Sequence, residues 1–190
     1  MPSTMRPSQP TLIAIGRALR SRRDRILDDW ATWTINRTAT SPTVSETVLR
    51  RFLAVLTDTL VETAGPLRRQ ALELWHAATE AYGRTSADRG LAAGEIVEEL
   101  QYLRELLIRY LSEVITAMPP RASLAGTLRL NRILDKGIAH AVVGYTDGLV
   151  EALFERRGVP VGGRGDGDDA AKQRLDHLES ELARLRDHAS

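Results

Sequence analysis

The chain contains no cysteine, which excludes disulfide bonds, thiolate nucleophiles and cysteine-ligated metal sites. Its 26 basic and 25 acidic residues nearly cancel, so there is no whole-protein basic field of the kind that attracts nucleic acid. No apolar run approaches the roughly 20 residues that span a bilayer, and the opening MPSTMRPSQP lacks the apolar core of a signal peptide. These absences predict a cytoplasmic protein without nucleic-acid contacts or a membrane span.

The sequence motifs of the common enzyme classes are also missing. There is no GxSxG, HExxH, P-loop or GxGxxG pattern. Adjacent carboxylates occur at Asp28-Asp29, Glu98-Glu99 and Asp168-Asp169. Neighbours on a helix point about 100° apart, so these pairs are expected to be solvated charges and not acid–base partners in a pocket. We therefore predict a non-enzymatic protein with no resident cofactor and no metal site.

Apolar residues instead recur at spacings of three and four, and no alternating strand pattern is found. A chain of 190 residues with 43% hydrophobic residues is long enough for one packed core. The pattern predicts an all-α bundle of about five helices, with the second helix capped by Ser41 and the fifth running from Ser123 to about Arg157.

We divide the chain into four predicted parts: a disordered N-terminus at 1–10, the bundle at 11–157, a flexible linker at 158–169 and a short coiled-coil helix at 170–190. The heptad seam of that last helix has alternating spacings of four and three and consists of Ala171, Leu175, Leu178, Leu182 and Leu185. So short a helix is marginal alone, so it is expected to need a dimer or a protein partner.

The fifth helix carries a bulky stripe beside a small one. The bulky stripe consists of Leu134, Ile138, Val142, Tyr145, Leu149 and Leu153, and the small stripe includes Gly137, Ala141, Gly144 and Gly148. Each glycine inside a helix costs about 1 kcal/mol relative to alanine, so the small stripe predicts close approach of a second helix. Together with the heptad seam, it suggests a parallel homodimer.

Other charged or titratable residues have functional and structural interpretations. His76 is a conceivable axial haem ligand, although a half-buried histidine on a helix face is favoured. His140 lacks the sequence context of a phosphoacceptor histidine. The arginines between Arg17 and Arg25 are interleaved with aspartates, which favours a solvated face over a nucleic-acid or lipid patch.

The stretch from Trp75 to Arg104 joins two amphipathic patterns through a corner flanked by Gly83 and Gly90, and at least one of these glycines is expected to have positive φ. Its residues resemble the N-terminal domain of the RsbT co-antagonist (RsbRD-type) proteins. The motif residues are Trp75, Tyr82, Gly83, Gly90, Glu99, Tyr102, Leu103 and Arg104.

The resemblance covers about residues 12–157 and implies a bacterial input domain in stress-response signalling. It also implies a globin-like helical fold without haem that is often dimeric. The expected function is a sensor-like module that passes its output through the fifth helix into the tail. Two alternatives stay open: a scaffold that recruits a partner through the C-terminal helix, and a globin-like sensor that binds haem or a small ligand.

Overall fold

A computed structural model describes residues 9–37, 44–156 and 167–188. Within these ranges it contains helices and no strand, which confirms the all-α bundle. The helices are α1 (Gln9–Arg37), α2 (Glu46–Glu62), α3 (Arg68–Asp88), α4 (Ala93–Thr116), α5 (Pro120–Arg156) and α6 (Gly167–Asp187).

Polar contacts between helices give the direction of packing. Arg23 on α1 bonds Asp58 on α2 at 2.6 Å. Asp28, later in α1, accepts a bond from Arg50, earlier in α2, so α1 and α2 are antiparallel. The same ordering of contacts makes α4 antiparallel to α1. The long-range contacts of α5 are mostly with α3 and α4.

The core is built around large aromatic side chains that are completely buried. Trp30, Trp75, Phe52 and Tyr82 each have 0% exposure. The Trp30 indole N–H donates to the Glu99 backbone carbonyl at 3.0 Å, and the Trp75 indole donates to a carbonyl of α5 at 2.9 Å. These bonds satisfy polar atoms that burial would otherwise leave without a partner.

Two helix starts differ from their predicted positions. The cap of α2 is Ser45, whose hydroxyl accepts a bond from the Val48 N–H at 3.4 Å; the predicted cap, Ser41, lies outside the described residues. Helix α1 begins at Gln9, inside the segment predicted to be disordered. Both differences are within the few residues by which helix boundaries are usually misplaced.

The corner after α3 is shorter than predicted. Gly90 has φ 77°, which confirms that one of the two glycines takes the left-handed conformation. The Leu91 N–H reaches back to the Ser86 carbonyl at 3.1 Å, and the Gly90 N–H to the Ala87 carbonyl at 3.0 Å. This is the Schellman arrangement of a helix C-terminus. Gly83 is not part of the corner but lies inside α3, so its predicted role was wrong.

Helix α6 packs against α2 and α3 of its own chain, which contradicts the prediction of a separate tail. Three contacts hold its first half: Asp168 accepts from the Ser45 N–H at 2.8 Å, and Arg51 bonds Asp176 and Glu179, each at 2.8 Å. Two aspartates in the first turn of α6 stabilise the positive end of the helix dipole. Residues 157–166, most of the predicted linker, lie outside the described residues.

Candidate functional site

The most enclosed polar cluster joins the end of α3 to α4. The Glu99 carboxylate accepts two bonds from the Arg89 guanidinium, at 2.8 and 3.1 Å, and one from the Tyr82 hydroxyl at 2.5 Å. The Arg89 and Glu99 side chains are 3% and 2% exposed. A buried ion pair requires such dense hydrogen bonding because its charges have lost their hydration.

The charge states of this cluster follow from its burial. Burial, and then the negative charge of Glu99, hold the pKa of Tyr82 well above its usual value of 10.0, so its hydroxyl remains a donor. Burial alone would lower the pKa of Arg89, but Tyr82 and Glu99 more than offset this, and the pKa is raised. Since no side chain of the cluster is open to solvent, we assign it the role of joining α3 to α4.

The resemblance selected two members of this cluster, Tyr82 and Glu99, but sequence reasoning missed Arg89. The available signal was an arginine directly before the cap glycine and ten residues before Glu99. The interpretation of Glu98 and Glu99 as solvated charges was wrong for Glu99. Only Glu98 is half exposed, and it pairs with Arg37 at 2.6 Å.

The other motif residues have separate packing roles. Trp75 and Leu103 lie in the core, and Gly90 is the cap glycine. Tyr102 is half-buried and stacks on Trp33, with ring centroids 4.4 Å apart. Arg104 pairs with a carboxylate of α5. The motif residues therefore do not converge on one pocket; they pack α1, α3, α4 and α5 against one another.

The small stripe of α5 packs against α3 of the same chain. A Cβ built at Gly144 would lie 2.0 Å from the Glu80 carbonyl oxygen, and one built at Gly83 would lie 1.9 Å from the Ala141 carbonyl oxygen. A Cβ built at Gly137 would lie 2.7 Å from the indole ring of Trp75, so there the close contact is with a side chain. The predicted close approach of a second helix is present.

Further along α5, Gly148 lies against Ala87 of α3. Later residues of α5 therefore contact later residues of α3, so the two helices run parallel. The stripe is therefore covered within the chain. The prediction that the small stripe is a homodimer surface was wrong, because no second copy can reach Gly144 while α3 covers it.

The heptad seam of α6 is likewise covered within the chain. Ala171, Leu175, Leu178 and Leu182 are buried at 0–4% exposure, and only Leu185 is half-buried. The predicted coiled coil with a second copy or a partner was wrong for this seam. A heptad pattern reports an apolar helix face, which an intramolecular groove covers as well as a partner helix does.

His76 and His140 face each other across α3 and α5. Their rings stack with centroids 4.4 Å apart and 13° between planes. The His76 Nε2 atom is buried without a hydrogen-bond partner. An enclosed Nε2 leaves no space for an iron at that atom, so this geometry does not favour the haem interpretation. Across the described residues, no three His, Asp or Glu side chains are placed to hold a metal ion.

Arginines in the basic run of α1 pair with carboxylates of neighbouring helices. Arg22 bonds Glu113 at 3.1 Å, and Arg23 bonds Asp58 at 2.6 Å. The run was predicted to be a solvated face; the structure shows instead that these two of its arginines form ion pairs between helices.

One uncovered apolar surface lies on the outer side of α5. Its residues follow spacings of four, three, four and three, and all five are exposed: Ala139, Val143, Thr146, Val150 and Leu153. We call this set the α5 seam. Val143, Val150 and Leu153 expose 51%, 43% and 55% of their surface, and Leu149 and Phe154 flank them at 42% and 46%. Large apolar side chains gathered on one exposed face are typical of interaction surfaces.

The charges closest to the α5 seam are neutralised inside the chain. Arg84 on α3 bonds Asp147 at 2.8 Å and Glu151 at 2.5 Å. Both carboxylates belong to the same stretch of α5 as the seam. Another apolar helix could therefore approach without meeting an unpaired carboxylate at either position.

Comparisons with protein-family models, curated proteins and solved structures find no match for this chain. Among the described helices, none is long and apolar enough to cross a membrane.

Proposed function

We propose that this protein is a non-enzymatic interaction module that forms a parallel homodimer through the α5 seam. The observation that carries the proposal is the exposed heptad spacing from Ala139 to Leu153. It puts Val143 and Val150 at the a positions, and Thr146 and Leu153 at the d positions. Valine at a with leucine at d favours two parallel strands.

A second copy is the occupant that best fits this surface. In a parallel two-stranded pair each seam residue meets its own counterpart, so a seam with an apolar side chain at every position except Thr146 is self-complementary. About two heptads would be marginal for an isolated peptide. Here α5 is already folded and packs on α3, so dimerisation does not have to offset the free-energy cost of forming the helix.

A signalling role is the biological setting that we propose for this dimer. The resemblance to RsbRD-type input domains supports it, because such domains would transmit a signal along the helix that leaves the bundle. The α5 seam lies on the last turns of that helix. The alternative of a scaffold that recruits partners through α6 loses its main support, since the α6 seam is buried.

Sedimentation equilibrium or light scattering tests the proposal. The native chain should show twice its 21.0 kDa mass at tens of micromolar. Val150→Glu should give a monomer, because two carboxylates would be brought together in an apolar interface. Ile108→Glu is the matched control, since Ile108 is equally apolar and 52% exposed but lies on α4. A native chain that is monomeric, or a loss of the dimer in both variants, contradicts the proposal.

A further inference from the structure

A groove runs between the start of α1 and the turn that joins α2 to α3. Its volume is about 770 Å³, within the range usual for small-molecule sites. The apolar lining residues are Leu12, Ile13, Val61, Ala64 and Pro66, and the basic ones are Arg17, Arg20 and Arg68. The lining contains no aspartate or glutamate.

Within the described residues, the apolar part of the groove is partly exposed. Ile13 is 51% exposed although it belongs to the first turns of a packed helix. Gly16 lets α1 lie close to the turn after α2, because a Cβ at this position would lie 3.0 Å from the Ala64 Cβ. Both Gly16 and Ala64 line the groove.

The basic part of the groove carries charge that the chain does not neutralise. Arg20 is paired with Glu62 at 3.4 Å, and Glu62 also contacts Arg186 at 3.4 Å. Within the part of the chain that the structure describes, Arg17 and Arg68 have no ion pair. This contrasts with Arg22 and Arg23 on the same helix, which bond carboxylates of α4 and α2.

Two neighbouring features add to the positive potential. Helix α3 starts at Arg68 with neither a side-chain cap nor an acidic residue in its first turn, so no side chain offsets the positive end of its dipole. Arg129 donates to the Thr63 carbonyl at 3.3 Å beside the same turn. Burial, and then the positive charge of Arg68, lower the pKa of Arg129.

We propose that this groove binds a small amphiphilic anion, with an acyl or alkyl chain over Leu12, Ile13 and Pro66 and a carboxylate or phosphate head at Arg17 and Arg68. Charge complementarity selects this occupant, because guanidinium groups bind carboxylates and phosphates through paired N–H donors. Residues 1–8 of the chain contain no carboxylate and one arginine, so they do not supply the complementary charge. The site does not depend on self-association through the α5 seam.

Calorimetric titration of the full chain with dodecyl phosphate below its micellar concentration tests the proposal. One molecule should bind per chain. Inorganic phosphate, which has the head without the tail, and dodecyltrimethylammonium, which has the opposite charge, should each bind at least about tenfold more weakly. Equal affinity for the cationic detergent would reduce the groove to a nonspecific apolar surface and overturn the proposal.

Variants locate the site. Arg17→Gln combined with Arg68→Gln should weaken dodecyl phosphate binding at least about tenfold, and Ile13→Asp should do the same by placing a carboxylate in the groove. Arg69→Gln is the matched control: Arg69 neighbours Arg68, is 89% exposed and pairs with Glu73 outside the groove. Undiminished binding to the double variant overturns the proposal.

A last arm separates a free amphiphile from a lipid surface. The protein should not co-sediment with phosphatidylglycerol vesicles, because a groove of this size fits a single acyl chain. If the vesicles bind the protein while monomeric dodecyl phosphate does not, this groove is part of a membrane-binding surface, and the proposed small-molecule site is wrong.

Discussion

At the residue scale, the contact between α3 and α5 depends on glycines that let two backbones meet. Gly83 and Gly144 each face a carbonyl oxygen of the opposite helix, at distances that exclude a side chain. Each glycine lowers helix stability by about 1 kcal/mol relative to alanine, but no residue with a Cβ fits at these two positions.

We expect Gly83→Ala to destabilise the fold by about 3 kcal/mol or more, because the new Cβ would lie 1.9 Å from the Ala141 carbonyl oxygen and the helices would have to separate. Gly94→Ala is the control, since no atom lies within 4 Å of a Cβ at Gly94. Alanine there should be neutral or stabilising by up to about 1 kcal/mol. Urea unfolding of both variants checks the pair. Equal stabilities would mean that α3 and α5 are further apart.

The buried pair of Arg89 and Glu99 should show strong coupling. Glu99→Leu or Arg89→Met alone should cost about 3–5 kcal/mol, because each leaves a buried charge without its partner. Arg89→Met combined with Glu99→Leu should recover much of that loss. A double-mutant cycle of unfolding free energies measures the coupling. Additive single effects would show that the two side chains do not share one buried site.

His76 should make stability depend on pH. Burial is the first cause that lowers its pKa, followed by the nearby His140 and Lys136, while Glu73 opposes them. The unfolded chain therefore binds a proton near pH 6.5 that the folded chain does not, so stability should fall as pH drops below that value.

Thermal melts at about pH 7.5 and about pH 5.5 measure this dependence. His76→Leu should reduce the difference between the two melting temperatures. His177→Gln, an exposed histidine of α6, is the control and should leave the difference unchanged. A difference that is the same in the native chain and in His76→Leu would assign the acid sensitivity to other groups.

At the element scale, α6 is part of the folded core. Removal of residues 167–190 would expose the parts of α2 and α3 that Leu175 and Leu178 now cover. We therefore expect this truncation to lower the melting temperature strongly or to prevent folding. Leu175→Ala alone should cost about 2–5 kcal/mol, whereas exposed Gln173→Ala should have almost no effect. A truncated chain with native stability would show that α6 is detached in solution.

The helices themselves could be predicted from the sequence because apolar spacing records which face of a helix is covered. Spacing does not record what covers it. Both the seam of α6 and the small stripe of α5 were assigned to a second copy, yet α2 and α3 of the same chain cover them. Two helices that are distant in sequence meet through shape, which one-dimensional periodicity does not contain.

The opposite error explains how the α5 seam was missed. Leu149 and Leu153 belong to the bulky stripe of the fifth helix, but both are exposed. Helix α3 ends at Asp88, and its contacts with α5 reach Gly148 by way of Ala87. The last turns of α5 therefore extend beyond the helix that covers its earlier part. The position of that end depends on how α3 and α5 align, which only the fold reveals.

At the scale of the whole molecule, the apolar surfaces divide into two kinds. The heptad seam of α6 and the small stripe of α5 are covered within the chain, and the α5 seam is the exposed surface that we propose a second copy covers. The absence of cysteine makes this division directly testable, since any introduced cysteine is the only thiol present.

Disulfide cross-linking of single-cysteine variants is the most direct measurement of the account. In a parallel dimer through the α5 seam, Leu153→Cys places two sulfurs opposite each other, so mild oxidation should give a covalent dimer in high yield. Leu175→Cys, on the buried seam of α6, should stay monomeric under the same conditions. A covalent dimer through residue 175 but not through residue 153 would contradict the account and return the coiled coil to α6.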